Sequence, residues 1–176
     1  MLKTICLVAA LIAVPSFGAN KLSDAEMQSR IGREVRHELV TQPLYGIFDN
    51  LAYKVDKDGT VTLSGQTTRP TLKSDAENSV KGIEGVKKVV NSIEVLPLLP
   101  ADDGIRIAVY RAVYGQASLN RYALQAIPSI HIIVKNGDVT LEGVVANTQD
   151  RQIAETQAKT VSGIFKVTNN LRTDSK

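Results

Sequence analysis

Five side chains of one predicted helix combine the chemistry of a charged and partly apolar contact surface. They are Arg106, Ile107, Tyr110, Arg111 and Tyr114, opposite the apolar stripe of that helix. A guanidinium binds phosphate through paired hydrogen bonds, and tyrosine places its ring at an apolar boundary while its hydroxyl stays in water. The set predicts contact with lipid headgroups. The alternative is that this face packs against the first half of the chain or the linker.

The patterns expected of a catalytic site are missing from the sequence. It has no Gly-x-Ser-x-Gly and no Gly-x-x-x-x-Gly-Lys, and neither of its 2 histidines has a partner at metal-ligand spacing. His37 is predicted to be solvated on an outer helix face, and His131 to face outward from a strand or to bond a loop carbonyl. Asp102-Asp103 begin a helix, where they complement its dipole. We therefore expect a non-enzymatic protein with no cofactor or metal.

The elements that position these residues follow from an internal repeat. The segment Gly59–Gly65 (GTVTLSG) returns 78 positions later as Gly137–Gly143 (GDVTLEG), and Asn91 returns in the same register as Asn169. A repeat fixes the size of the folding unit, which here is about half the chain. Catalytic sites are usually single, so duplicated small modules favour a binding function.

Each copy is predicted to run helix, strand, strand, helix, strand. A capping box at Ser23 begins the first helix, and Asp58-Gly59 and Asn136-Gly137 supply hairpin turns. The sequence predicts an α+β protein of two tandem α-β-β-α-β domains, each a three-stranded mixed sheet covered on one face by two helices. The apolar positions of the first helix in each copy superpose with a sequence shift of either 78 or 74 residues. The predicted elements are a helix from Ser23 to Pro43, strands 51–55 and 60–67, a helix from Pro70 to Gly85 and a strand 88–96, then a helix 103–114, strands 130–135 and 139–145, a helix 148–161 and a strand 166–172.

The first 19 residues are predicted to be a signal peptide. Lys3 precedes an apolar run that is too short to span a bilayer, and small residues favour cleavage near Gly18 or Ala19. The single cysteine, Cys6, lies too early to be lipidated, so we expect a periplasmic protein that is not a lipoprotein. The predicted domains are 1–19 signal peptide, 20–96 first domain, 97–102 Pro/Leu linker and 103–176 second domain.

Composition narrows the class of partner. The chain has 21 basic and 18 acidic residues and a formal charge of +3, which is too small to favour nucleic acid. Its hydrophobic content of 43% is ordinary for a globular protein. Domains of this size bury little surface alone and are marginally stable, so we expect the copies to pack against each other or against a partner. No feature of the sequence sets an oligomeric state.

The hairpin Gly-x-Val-Thr-Leu-x-Gly, followed by Gly-Ile/Val-x-x-Val-x-Asn, resembles the BON domain, a module of bacterial envelope proteins. Two copies behind a signal peptide resemble its periplasmic, osmotically induced class. The resemblance implies binding, often to anionic phospholipid, with a chaperone role toward envelope proteins under envelope or osmotic stress as the alternative. Lipoprotein relatives carry a lipidated cysteine after the signal, which this chain lacks. The resemblance rests on Gly59, Val61, Leu63, Gly65, Gly85, Val86, Val89 and Asn91, and on Gly137, Val139, Leu141, Gly143, Gly163, Ile164, Val167 and Asn169.

Overall fold

The computed structural model describes residues 23–125 and 127–174. The predicted signal peptide and its cleavage site lie outside these residues. The α+β class and the two tandem units are confirmed, with a short additional helix in the second unit. The elements are α1 (Asp24–Val40), β1 (Asn50–Val55), β2 (Thr60–Thr67), α2 (Pro70–Lys81), β3 (Lys88–Asn91), β4 (Glu94–Val95), α3 (Pro100–Tyr114), α4 (Asn120–Ala123), β5 (Ile130–Lys135), β6 (Asp138–Val145), α5 (Thr148–Lys159), β7 (Lys166–Asn169) and β8 (Arg172–Thr173).

The two sheets have the same topology and register. In the first, β1 is antiparallel to β2, while β3 and β4 both run parallel to β2. In the second, β5, β6, β7 and β8 take the same places. Val61 pairs with Val55 and Val89, and its counterpart Val139 pairs with Val134 and Val167. Each sheet therefore leaves its first strand at an edge.

Each domain has its own hydrophobic core. The apolar stripe of α1 places Ile31 and Val35 in the first core, and that of α3 places Val109 and Val113 in the second. Ile31 and Val35 correspond to Val109 and Val113 with a shift of 78. This shift, rather than 74, is therefore the structural one. The predicted core stripe of α3 is confirmed.

One asparagine interrupts the final strand of each copy. The amide of Asn91 donates to the carbonyl of Lys73 at 2.9 Å, and its side-chain oxygen accepts from the Ile93 N–H at 3.1 Å. Asn169 makes the matching bonds to Arg151 and Leu171. Because these bonds redirect the backbone, each predicted single strand is two short strands, β3 with β4 and β7 with β8.

Several predicted boundaries were wrong. The second helix ends at Lys81 and is capped by Gly82, while Gly85 lies in the following turn with φ +93°. The helix predicted from Asp103 begins at Pro100, because proline suits the first helical position. Three residues of the predicted 97–102 linker are therefore helical. The helix predicted to reach Val161 ends at Lys159.

The first domain docks on the edge of β5 through the segment between α1 and β1. The N–H of Ile132 donates to the carbonyl of Ile47 at 2.8 Å, and Ile47 and Phe48 pack against the second core. The carboxylate of buried Asp49 fixes this segment by accepting hydrogen bonds from the Thr68 and Gly46 N–H groups. The predicted packing of one copy on the other is therefore present.

His131 lies inside this interdomain contact. It is only 7% exposed, and its ring centroid lies 5.5 Å from that of Tyr45. The Tyr45 hydroxyl is 3.4 Å from Nε2, while buried Nδ1 has no hydrogen-bond partner among the described residues. The sequence predicts that His131 faces outward or bonds a loop carbonyl. It does lie on the face of β5 opposite Ile130 and Ile132, but the docking segment covers that face, so His131 is buried rather than exposed to solvent. His37 is exposed, as predicted.

Candidate functional site

Three of the five predicted contact residues form an exposed surface on α3. Ile107 and Tyr110 retain 46% and 40% of their exposure, and Arg111 is also exposed. Residues three and four positions apart are neighbours on one helix face. We call Ile107, Tyr110 and Arg111 the α3 surface. It combines an aliphatic side chain, an aromatic ring and a guanidinium on a rigid helix.

Arg106 and Tyr114 do not belong to this surface. Their exposed fractions are 2% and 6%, so the prediction that they lie on the outer face was wrong. Arg106 directly follows Ile105, which belongs to the apolar stripe of α3, and it is buried with that stripe. Tyr114 ends the helix, where the following segment contributes Leu119 and Tyr122 to the same core. Neither side chain can reach a headgroup without leaving the protein interior.

The buried pair instead satisfies the open edge of β5. Arg106 Nη2 donates to the Val134 carbonyl at 2.7 Å, and the Tyr114 hydroxyl donates to the Ile130 carbonyl at 2.6 Å. Between them, Ile132 donates to the first domain. Backbone groups buried at a strand edge need partners. These three bonds therefore close the edge that the β5-β6-β7 order leaves unpaired.

Burial also sets the chemistry of Tyr114. Desolvation raises the pKa of its hydroxyl above the ordinary range, so the group keeps its proton and can donate. The Tyr110 ring lies 5.2 Å from the Tyr114 ring, centroid to centroid. The exposed Tyr110 ring therefore packs against the buried Tyr114 ring, and this contact restricts the motion of the Tyr110 ring.

The first domain contains a sequence signal for the edge-capping role of Arg106, which the sequence analysis missed. Gln28 occupies the position 78 residues before Arg106, and its amide donates to the carbonyl of Val55. Val55 and Val134 hold equivalent positions, since they pair with the matched residues Val61 and Val139. A long polar donor at one repeat position in both copies could have predicted an edge-capping role.

Replacing Arg106 by glutamine, the residue type of the first copy, is expected to lower the free energy of unfolding by about 1 kcal/mol. Glutamine can keep a bond to Val134, but it loses the Arg106–Asp103 ion pair and part of the buried volume. Urea unfolding followed by circular dichroism measures the change. Arg111→Gln, on the exposed face, is the control and should stay within about 0.5 kcal/mol of wild type. Equal losses in both variants would contradict the capping role.

The described residues offer no metal site. Among residues 23–125 and 127–174, no group of three or more His, Cys, Asp or Glu side chains could hold a metal ion. A cavity of about 220 Å³ lies in the first domain between α1 and the hairpin turn, beside Asp24, Gln28 and Asp58. In the second domain, the Asp102 carboxylate closes the corresponding gap by accepting from the N–H groups of Asn136 and Gly137. Asp102 therefore connects the start of α3 directly to the hairpin turn of the second domain.

Comparison with known proteins agrees with the repeat. The BON domain model matches residues 23–97 and 116–175. The chain belongs to the BON domain family. This BON protein is 30% identical over 158 residues to osmotically-inducible protein Y of Escherichia coli (strain K12), a match that covers 88% of this chain and 76% of that protein. The BON residues specify the two cores and turns. The α3 surface lies in the stretch between the two matches.

Two solved structures are distantly similar to this BON protein. CdsD, a structural protein of the type III secretion system of Chlamydia trachomatis, is 14% identical, with 83% of this chain and 94% of that chain covered and a TM-score of 0.32. The C-terminal domain of CdsD is 12% identical, with 81% and 96% covered and a TM-score of 0.31. At these TM-scores neither structure carries a functional argument. Within the described part of the BON protein, no helix is long and apolar enough to cross a membrane.

Proposed function

We propose that this BON protein is a non-enzymatic, periplasmic envelope protein that binds membrane surfaces rich in anionic phospholipid through the α3 surface. The observation that carries the proposal is the exposure of Ile107, Tyr110 and Arg111 together on one helix. The relative's name supports a role in osmotic stress. The predicted signal peptide supports export.

The physical basis is a small contact with two contributions. Arg111 takes part in none of the ion pairs among the described residues, so its charge is available to a phosphate. A basic residue near an anionic membrane contributes about 1 kcal/mol, which salt screens. Ile107 and the Tyr110 ring add apolar burial at the headgroup boundary. Because Arg106 and Tyr114 are committed to β5, the binding is expected to be weak and salt-dependent.

Liposome flotation tests this function. Wild-type protein is expected to float with vesicles containing phosphatidylglycerol and not with neutral phosphatidylcholine vesicles. Arg111→Glu reverses one charge and should weaken binding by about tenfold. Arg33→Glu, an exposed reversal on α1 of the first domain, is the matched control and should keep most binding. Equal flotation with both lipids, or no effect of Arg111→Glu, would refute the proposal.

A second candidate is a chaperone-like role toward unfolded envelope proteins. It is favoured by Leu124, which is 82% exposed in the segment after α3 and belongs to no described core. Suppression of the aggregation of a reduced, unfolded client without lipid would support it. The test compares wild type with Leu124→Ser at the same molar excess, and no difference between them would count against this role.

A further inference from the structure

Exposed apolar side chains concentrate at the N-terminal end of α3. Leu98 is 73% exposed and Leu99 is 40% exposed, and both precede the helix directly. Phe165, in the turn between α5 and β7, is 84% exposed. We call Leu98, Leu99 and Phe165 the apolar tip. Large hydrophobic side chains at this exposure are not part of either core, so folding does not explain their type.

The contacts place Phe165 beside the start of α3. The Asp102 carboxylate, in the first turn of α3, accepts hydrogen bonds of 2.8 Å from the N–H groups of Asn136 and Gly137. The Phe165 ring lies over Gly137, where a side-chain Cβ would be 2.7 Å from a ring carbon. The helix start, the hairpin turn and Phe165 therefore share one end of the second domain.

A backbone hydrogen bond fixes the turn that carries the exposed Phe165. Its N–H donates to the Gly137 carbonyl at 3.0 Å, in a turn where Gly163 has φ +84°. The first domain contains the same arrangement, because the N–H of Lys87 donates to the Gly59 carbonyl at 2.9 Å. The same turn thus presents lysine in one copy and phenylalanine in the other. The fold accepts either residue, so the phenylalanine is specific to the second domain.

We propose that the apolar tip inserts into the lipid bilayer at the level of the headgroup–acyl boundary while the α3 surface lies against the headgroups. This inference rests on the function proposed above and adds the point of entry. Lys166, which is exposed and follows Phe165 directly, and the exposed Arg111 of the α3 surface have the charge that is complementary to anionic lipid. The three side chains project from a turn and a linker rather than lining a groove. A fluid lipid phase can surround each one, whereas a protein partner would need a separate pocket for each.

A single tryptophan tests the insertion, because the chain contains none. Phe165→Trp is expected to show a blue-shifted emission on mixing with phosphatidylglycerol vesicles, and quenching by lipids brominated on the acyl chains. Lys87→Trp, at the equivalent position of the first domain, is the matched control and should keep its solvent-exposed emission. Phe165→Ser, which removes the aromatic side chain without adding a charge, should weaken flotation by about tenfold because one buried aromatic side chain is lost.

The outcomes separate the insertion from the proposed function. If the Phe165→Trp protein floats with anionic vesicles but its emission is neither shifted nor quenched, the insertion is overturned and membrane binding stands. If neither wild type nor the variant floats, membrane binding fails and the insertion with it. A blue shift that grows with protein concentration in the absence of vesicles would show that a second copy covers the tip, and would overturn the lipid assignment.

Discussion

Replacing Gly143 by alanine is expected to unfold the second domain, and replacing Gly65 is expected to unfold the first. These glycines have φ +121° and +108°, a region that alanine adopts only with strain. A Cβ at Gly143 would collide with the Ser129 carbonyl oxygen, and one at Gly65 with the Asn50 carbonyl oxygen. Both obstacles are backbone atoms, Asn50 at the start of β1 and Ser129 directly before β5, so no side-chain rearrangement relieves them. The strand pairs at the centre of each sheet must therefore separate.

The loss should exceed about 4 kcal/mol in each variant, which is a large share of the stability of so small a domain. Nuclear magnetic resonance of the labelled protein can assign the damage, because the amide signals of only one domain should lose dispersion. Gly104→Ala is the matched control. Gly104 is exposed within α3 and a Cβ there meets no atom within 4 Å, so alanine should stabilise by about 0.5–1 kcal/mol. A folded Gly143→Ala domain with unchanged stability would contradict the close approach of β6 to the segment before β5.

Acidification is expected to weaken the contact between the domains through His131. Burial lowers the pKa of this imidazole below its ordinary value, and the backbone of Gly46 and Asp49 and the charges of Asp49 and Glu142 offset this only in part. The unfolded chain then binds a proton more readily than the native protein. Stability is therefore fully present above about pH 6.5 and falls as pH decreases from the unfolded pKa toward the lower native one, by at most about 1.4 kcal/mol per pH unit.

Urea unfolding between pH 7.5 and 5.5 measures this dependence. His131→Phe keeps an aromatic ring against Tyr45 and cannot be protonated, so its stability should change little over that range. His37→Gln, which removes the exposed histidine, should follow wild type. Parallel curves for wild type and His131→Phe would show that His131 is not the titrating group. The Tyr45 hydroxyl does not compete, because burial raises its pKa further above this range.

The sequence predicted the fold because the repeat supplies each constraint twice. Gly59 and Gly137 mark matching turns. The alternation of apolar and polar residues around Val61 and Val139 predicts both hairpins and which face of each is buried. The strand breaks after Asn91 and Asn169 were missed, since the apolar alternation continues through them. Only the side-chain bonds of the two asparagines reveal the interruption.

The candidate site was less predictable. Helical spacing correctly separated Val109 from Ile107, but it could not show that Arg106 lies over an edge strand with buried carbonyl groups. The same limit applies to His131, since the segment that covers it has no periodic pattern. Both errors concern tertiary contacts between separate elements, and the periodicity of a single element contains little information about such contacts.

The hydrogen bond from Ile132 to Ile47 has a consequence for evolution and for protein engineering. The two halves of this gene are duplicates, yet they are no longer interchangeable, since one now shields the hydrogen-bonding border of the other. An isolated C-terminal half would expose the edge of β5, and two such fragments could then pair along this edge.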